Sequence, residues 1–211
     1  MIDFSIRGFQ VGPIMTNCFF LINNDSKKLI VIDPGASAKA LYEEIKKLDC
    51  VCEAILLTHG HFDHADGVDE LKALTGAKVY AHEDEKKVLN DPSYNLSDDF
   101  VATGSKYDAD VFVNDAEHLK LSGFDIAVIH TPGHTPGGIC FYIEEEKILF
   151  SGDSLFNQSI GRTDFLEGSA SQLIRSIKEK LLCLPDDVNV YPGHGAATSI
   201  GYEKKYNPFF D

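Results

Sequence analysis

The sequence predicts an α/β fold in which two β-sheets are sandwiched between helices, within one domain that spans residues 1–211. Three observations lead to this prediction. Short β-rich segments open the chain, strand and helix patterns then alternate twice, and a content of 44% hydrophobic and 25% charged residues is that of an ordinary globular protein. A chain of 211 residues is also long enough to bury a large core.

The first half of the chain begins with three predicted strands that end in turn-forming residues, over 3–11, 17–23 and 28–35. Helical spacing follows over 37–49, where Ser37 is a candidate N-cap. The pattern then predicts a strand over 53–58, a helix over 65–76, a strand over 77–82 and a short helix over 83–90.

The second half repeats the alternation of strands and helices after a break. Residues 91–108 are rich in turn formers, so we expect a loop insertion there. The elements predicted after it are a strand over 124–133, two strands around an acidic turn within 137–153, a helix over 169–184 and a strand over 187–195.

Charge and composition restrict the partners of the chain. A formal charge of −14 argues against general nucleic-acid binding and against attraction to anionic membranes. No run of about 18 apolar residues and no apolar signal core occur in the sequence. The five cysteines suggest no disulfide framework, so we expect a cytoplasmic protein. We also expect a monomer or a small homo-oligomer that acts on a small molecule.

Metal-binding side chains are concentrated in the segment LLTHGHFDHADG, which contains His59, His61, Asp63 and His64. With 8 histidines in 211 residues, chance would rarely place three so close together. His59 and His61 are two positions apart on an extended segment, so their side chains can point the same way. Asp63 and His64 follow where the chain begins to turn, so we expect them to point elsewhere.

Further polar side chains follow the ends of later apolar strands, at His134, Asp153 and His194. If the strands are aligned, these ends meet along one edge of the sandwich, where binding groups commonly lie. Because a zinc site takes about four ligands, seven candidates predict two metal ions about 3.5–4 Å apart. Imidazole and carboxylate ligands suit zinc, with iron or manganese as alternatives.

Four motifs resemble the signature of the metallo-β-lactamase superfamily and occur in the same order: THGHFDH, HTPGHTPGG, FSGDSLF and YPGHG. The resemblance covers nearly the whole chain. It implies a four-layer αββα sandwich with the metals at the strand-end edge.

The same resemblance assigns the seven candidate ligands. It implies that one metal is held by His59, His61 and His134. It implies that a second metal is held by Asp63, His64 and His194, and that the two metals are bridged by Asp153.

A narrower resemblance comes from the segments IGRTDFLEGSASQLIRSI and YEKKYNPFF, which are similar to the glyoxalase II branch, the hydroxyacylglutathione hydrolases, and especially to its short bacterial members. This resemblance implies hydrolysis of a thioester such as S-lactoylglutathione, with a metal-bridging hydroxide as the nucleophile. The larger members carry an additional C-terminal helical domain that helps to bind glutathione, whereas here a short tail follows His194.

Thioester hydrolysis does not require a strong general acid, because the leaving group is a thiolate whose conjugate thiol has a pKa of about 8.5. Asp63 is the candidate for proton transfer, in addition to its predicted role as a ligand. Arg162 could contact a substrate carboxylate, and the alternative is an ion pair with Asp164 that pins the loop. Asp33, in VIDPG, is expected to orient a ligand or a loop.

Other functions remain open from the sequence. Persulfide dioxygenases share the expected fold and a GRTDF stretch, and they hold one iron at positions that correspond to His59, His134 and Asp153. The complete PGHG motif with His194 favours a second metal site instead. Hydrolysis of another ester, a lactone or a phosphodiester is a further alternative, as is a non-catalytic metal-binding role.

Overall fold

The computed structural model describes residues 2–100 and 104–210, and its first sheet contains six strands in chain order. They are β1 (Phe4–Val11), β2 (Thr16–Asn23), β3 (Lys28–Ile32), β4 (Val51–Leu56), β5 (Lys78–His82) and β6 (Val111–Val113). Strand β2 pairs antiparallel with both β1 and β3, and β3 to β6 run parallel. The parallel strands therefore place their carboxyl ends at one edge.

A second six-stranded sheet is built from the other half of the chain. Its strands are β7 (His118–Leu121), β8 (Phe124–His130), β9 (Ile139–Ile143), β10 (Ile148–Gly152), β13 (Asn189–Pro192) and β14 (Thr198–Ser199), in this spatial order. Between β10 and β13 the chain forms a two-stranded ribbon of β11 (Leu155–Phe156) and β12 (Ser159–Ile160).

Helices occupy the connections between these strands. They are α1 (Ala38–Lys47), α2 (Phe62–Ala65), α3 (Val68–Thr75), α4 (Lys86–Asn90), α5 (Ser97–Phe100), α6 (Ala170–Ser176) and α7 (Ile200–Tyr206). A 3₁₀ turn (Glu83–Glu85) precedes α4, and a π-helical turn (Ile177–Leu181) continues α6. Within the described residues, none of these helices is long and apolar enough to cross a membrane.

The layers of the core follow from the geometry of the strands, because successive side chains along a strand point to opposite faces of its sheet. In β3, Ile30 and Ile32 face the second sheet and pack with side chains such as Phe141. Leu29 and Val31 face the other way and pack against α1 and α3. The outer face of the second sheet packs against α6 and the turn after it. The resulting order of helix, sheet, sheet and helix is the four-layer αββα sandwich that was expected.

Most predicted elements are present, and the differences are local. Strands β6, β7, β11, β12 and β14 and helices α2 and α7 were not predicted, because they are too short to show a clear pattern. The predicted loop insertion at 91–108 contains the short helix α5, and positions 101–103 of it lie outside the described residues.

The prediction that Ser37 is the N-cap of α1 is confirmed for its position, but its side chain does not act as a cap. Ser37 stands at the N-cap position, but its backbone is left-handed with φ of 60°, and its side chain makes no capping hydrogen bond. A capping side chain reaches the first turn from an extended backbone conformation, which Ser169 adopts before α6.

Candidate metal centre

The segment after β4 separates its four polar side chains into two pairs. Both the backbone N–H and the hydroxyl of Thr58 donate to the carboxylate of Asp33, over 2.8 and 2.6 Å, and this fixes the chain where it leaves the sheet. His61 is extended, and α2 begins at the next residue. Asp63 and His64 therefore lie on a helical turn. The ring of His64 stays beside that of His59, with centroids 4.1 Å apart, so the expectation that it points elsewhere is wrong for this ring.

The first group of donor atoms consists of His59, His61 and His134. Nε2 of His59 lies 3.1 Å from Nδ1 of His61 and 3.2 Å from Nε2 of His134. With zinc–nitrogen bonds of about 2.0–2.1 Å, two ligands of a tetrahedral ion lie about 3.4 Å apart. All three side chains are buried, with at most 4% of each residue exposed. The spacing and the burial fit three ligands of one metal ion.

Hydrogen bonds behind two of these rings determine where their lone pairs point. A carbonyl oxygen can only accept, so Nδ1 of His134 donates to the carbonyl of Arg162, over 2.7 Å. The hydroxyl hydrogen of Thr58 is committed to Asp33, so Nδ1 of His59 donates to the Thr58 oxygen. In neutral imidazoles both Nε2 atoms then carry lone pairs that face each other across 3.2 Å. A cation between them would satisfy both atoms.

The second group consists of Asp63, His64 and His194. Oδ2 of Asp63 lies 3.3 Å from Nε2 of His64 and 3.2 Å from Nε2 of His194. The same oxygen accepts a hydrogen bond of 2.7 Å from the buried hydroxyl of Thr16, which fixes its orientation. This group therefore offers one carboxylate and two imidazoles to a second ion.

Asp153 lies between the two groups. Its Oδ1 is 3.4 Å from Nε2 of His64, and its Oδ2 is 3.6 Å from Nε2 of both His134 and His194. Oδ1 of Asp153 and Nε2 of His64 are buried without a hydrogen-bond partner among the described residues. Unpaired buried polar atoms are costly, and a bound metal ion would satisfy both of these. The observation fits a carboxylate shared by two cations.

The electrostatics of the centre also fit bound cations. Burial, together with the neighbouring histidines, lowers the pKa of His59 and His61 well below the usual range, so both rings stay neutral as metal ligands must. Burial also acts to lower the pKa of His64, but Asp63 and Asp153 outweigh it and raise this pKa. The carboxylates thus create a negative potential where a cation would bind.

The donor atoms are imidazole nitrogens and carboxylate oxygens, and none of these groups contains a cysteine within the described chain. All five cysteines are free thiols. Such a donor set suits zinc, iron or manganese. The residues present therefore fit divalent metal ions.

Asp33 lies directly behind this centre, as expected. Its Oδ2 atom accepts from Nδ1 of His64, over 2.9 Å, in addition to its bonds from Thr58. The residue is 1% exposed. Asp33 therefore orients both a candidate ligand and the loop that begins the ligand segment.

A pocket of about 410 Å³ adjoins the donor groups. Arg162 lines this pocket, but its guanidinium donates two hydrogen bonds, of 3.0 and 2.8 Å, to the carboxylate of Asp164. The structure thus contains the ion pair that was the alternative to substrate binding. A contact between Arg162 and substrate stays a prediction.

Glu85 is a residue of the centre that sequence reasoning missed. Its carboxylate is fully buried and accepts from the backbone N–H of Gly60, over 3.0 Å, and from the backbone N–H of Gly137, over 2.9 Å. The hydroxyl of Thr135 donates to it as well. Gly60 separates two candidate ligands, and Thr135 follows a third. Glu85 therefore joins the two ligand loops, although in the sequence it is one acid among several in EDEKK.

Comparisons with known proteins agree with this geometry. A model of the metallo-beta-lactamase superfamily matches residues 11–194. Hydroxyacylglutathione hydrolase GloC of Haemophilus influenzae is 41% identical over 213 residues, which cover 98% of this chain and 98% of that protein.

Two solved structures are similar over almost their full length. The B3 metallo-β-lactamase BLEG-1 has a TM-score of 0.93 and 40% identity, covering 98% of this chain and 99% of that chain. TTHA1623, solved in a di-iron-bound form, has a TM-score of 0.79 and 32% identity, covering 96% and 99%. The family match and these identities establish that the chain belongs to the metallo-β-lactamase superfamily.

Proposed function

We propose that this protein is a binuclear metal-dependent hydrolase of thioesters, in the glyoxalase II-like branch of its superfamily. The observation that carries the proposal is the position of Asp153 between two buried donor groups, beside an open pocket. The similarity to GloC, whose name is that of a thioester hydrolase, supports this substrate class.

The proposed ligands divide between two sites. One ion would be held by His59, His61 and His134. The other would be held by Asp63, His64 and His194, with Asp153 available to both sites. Two divalent ions in such a site lower the pKa of water toward about 7, which supplies a nucleophile near neutral pH.

The residues of the chain position this chemistry and control its protons. Hydrogen bonds from His134 to the Arg162 carbonyl and from His64 to Asp33 hold these rings with Nε2 facing inward. Burial acts to raise the pKa of Asp63, but the neighbouring histidines outweigh it and hold this pKa below the usual range. Asp63 is therefore a carboxylate at neutral pH and can accept a proton but not supply one.

The absence of a proton donor supports a thioester over substrates with poorer leaving groups. Apart from the proposed ligands, the ionisable side chains among the described residues that line the pocket are Asp99 and Arg162. Histidine, the side chain that most often donates protons near pH 7, is absent from this remainder of the described lining. A thiolate leaves without such a donor, whereas an amine or alkoxide requires one.

Two other activities are alternatives to thioester hydrolysis. Similarity to BLEG-1, named as a B3 metallo-β-lactamase, favours β-lactams as a second substrate class. A mononuclear iron dioxygenase needs one ion at His59, His134 and Asp153, and it would leave the buried group around His64 without a cation.

The deciding experiment combines metal analysis of the purified protein with a substrate panel at defined metal loading. About two ions per chain and turnover of S-lactoylglutathione or another thioester is the expected result. One iron per chain with oxygen uptake on glutathione persulfide would establish the dioxygenase instead. Two ions with no thioester turnover, but with cleavage of a β-lactam or a phosphodiester, would reject our proposal.

A further inference from the structure

The pocket beside the donor groups has apolar walls. Apart from the proposed ligands, Asp99 and Arg162, its described lining consists of Ile14, Phe62, Leu96, Phe100, Phe156 and Phe165. The rings approach the candidate ligands closely: the centroid of Phe165 lies 5.2 Å from that of His61, and the centroid of Phe156 lies 6.2 Å from that of His194. A substrate at the donor groups therefore extends along hydrocarbon surface.

Large apolar side chains are also exposed where this pocket opens. Phe100 is 61% exposed and stacks on Phe62, with ring centroids 4.8 Å apart. Ile14 is 41% exposed, and its neighbour Met15 is 60% exposed. Single exposed apolar residues are common, but a group of them around a pocket marks a surface that binds apolar ligands.

The pocket provides little to recognise an anionic carrier. Arg162 is the one cationic side chain in its described lining, and its Nε and Nη2 atoms both donate to the carboxylate of Asp164. The guanidinium also lies over the ring of Phe165, 4.4 Å from its centroid. Asp99 adds a negative charge to the lining. Beyond the proposed metal ions, a peptide thiol with free carboxylates would meet one cation that is already paired and one further anion.

We propose that this pocket selects thioesters with an apolar acyl chain of several carbons on an uncharged thiol carrier, and that it discriminates against anionic carriers such as glutathione. This inference rests on the proposed thioester hydrolysis and narrows its substrate class. The apolar walls bind the acyl chain of the substrate. The ion pair between Arg162 and Asp164 leaves little free positive charge for the carboxylates of a thiol carrier.

Binding of thioethers, which cannot be hydrolysed, tests the pocket separately from catalysis. Isothermal titration of the metal-loaded protein compares S-octyl-N-acetylcysteamine with S-methyl-N-acetylcysteamine, which differ in the apolar chain. S-octylglutathione serves as the third ligand, with the same chain on an anionic carrier. We expect the first ligand to bind at least about tenfold more tightly than either of the others, which is about 1.4 kcal/mol. Equal or tighter binding of S-octylglutathione would overturn the proposal.

Two variants identify the surfaces responsible. Phe100→Ser removes an exposed ring of the pocket and is expected to weaken the S-octyl-N-acetylcysteamine complex several-fold, with no change for the S-methyl compound. Val51→Ser is the matched control, because Val51 is 65% exposed and does not line this pocket. Asp164→Asn releases the guanidinium of Arg162 and should tighten binding of S-octylglutathione alone. If Phe100→Ser and Val51→Ser behave alike, the apolar wall does not select the ligand.

Hydrolysis of the corresponding thioesters separates this inference from the proposed function. Turnover of octanoyl-N-acetylcysteamine well above that of S-lactoylglutathione would support both proposals. Turnover of S-lactoylglutathione with no preference for the apolar thioester would reject the inference and leave the function standing. Selective binding of the octyl ligand without any thioester turnover would retain the pocket's preference and reject the hydrolase.

Discussion

Nδ1 of His64 lies 2.9 Å from Oδ2 of Asp33, and this contact leaves Nε2 of the same ring facing Asp63 and Asp153 without a hydrogen-bond partner. Asp33 thus determines which nitrogen of His64 is presented to the centre. Because Oδ2 of Asp33 also accepts from the hydroxyl of Thr58, one buried carboxylate orients His64 and anchors the start of the loop that carries His59.

Asp33→Asn should weaken metal binding in the group that contains His64. An amide has one accepting oxygen and one donating NH2 group, so His64 or Thr58 loses its acceptor. Loss of a partner behind a metal ligand lowers affinity by about 10–100-fold. Titration of the metal-depleted protein with zinc, in competition with a chelator, measures the zinc affinity of each site, including the one that contains His64. Asp187→Asn removes an exposed carboxylate that pairs with Lys147 and should leave both affinities unchanged. Identical binding curves for the two variants would contradict the role of Asp33.

His134→Ala should abolish turnover while the chain remains folded. The side chain contributes one of three nitrogens of the first donor group, and its loss reduces that group to two. Metal content should fall by about one ion per chain, measured by elemental analysis, with an unchanged circular dichroism spectrum. His118→Ala is the control, because His118 is exposed and pairs with Asp125. Full activity of the His134 variant would show that the ligand assignment is wrong.

Gly193→Ala should disrupt the centre, because the added Cβ atom would lie too close to two candidate ligands. A Cβ atom at this position would lie 2.2 Å from Oδ1 of Asp153 and 2.7 Å from the His64 ring. Asp153 and His64 would have to move, so we expect loss of metal and of activity. Gly195, on the other side of His194, has open space around its Cβ position. Gly195→Ala at φ of 76° should cost about 1–2 kcal/mol of stability and retain the metal, which elemental analysis and urea denaturation will show.

Glu85 should make stability fall with rising pH. Burial raises the pKa of its carboxyl to about 7 from a usual value of 4.5. The folded state therefore binds this proton more tightly than the unfolded state. The cost of ionising Glu85 is absent below about pH 4.5, grows between 4.5 and 7, and is complete above 7, where it reaches about 3 kcal/mol.

Comparison with Glu85→Gln isolates this contribution, because the amide does not titrate. The free energy of unfolding of the variant minus that of the native protein should rise by about 3 kcal/mol between pH 4 and pH 8. Urea denaturation at each pH, with the same metal content in both proteins, gives this difference. Glu43→Gln, at an exposed position on α1, is the control. A difference that is constant with pH would mean that Glu85 ionises normally.

The fold was largely predictable because its signal is local. A continuous run of apolar side chains, as in residues 29–32, indicates that both faces of a strand are buried, and this pattern is visible in the sequence. Strands of two or three residues, such as β11, carry too few side chains for a pattern. Helix α7 was missed for a related reason, since its seven residues mix charged and aromatic side chains after the last motif.

The candidate donors were also predictable, because histidine and aspartate at strand ends are distinctive. The residues that support them are not. Thr16 is an ordinary strand residue until it is seen to donate to Asp63, 47 positions away. Glu85 lies in an acidic segment and shows its role only through contacts with two separate loops.

The sequence by itself determined the alternation of strands and helices, the identity of seven candidate donor side chains and the family that their motifs indicate. The tertiary structure alone decided which donors face one another, that Arg162 is bound to Asp164, and that the adjoining pocket is apolar. The physical reason is distance along the chain. His59 and His134 are 75 residues apart, yet their Nε2 atoms are separated by 3.2 Å, and such proximity follows from the packing of two sheets rather than from any local pattern.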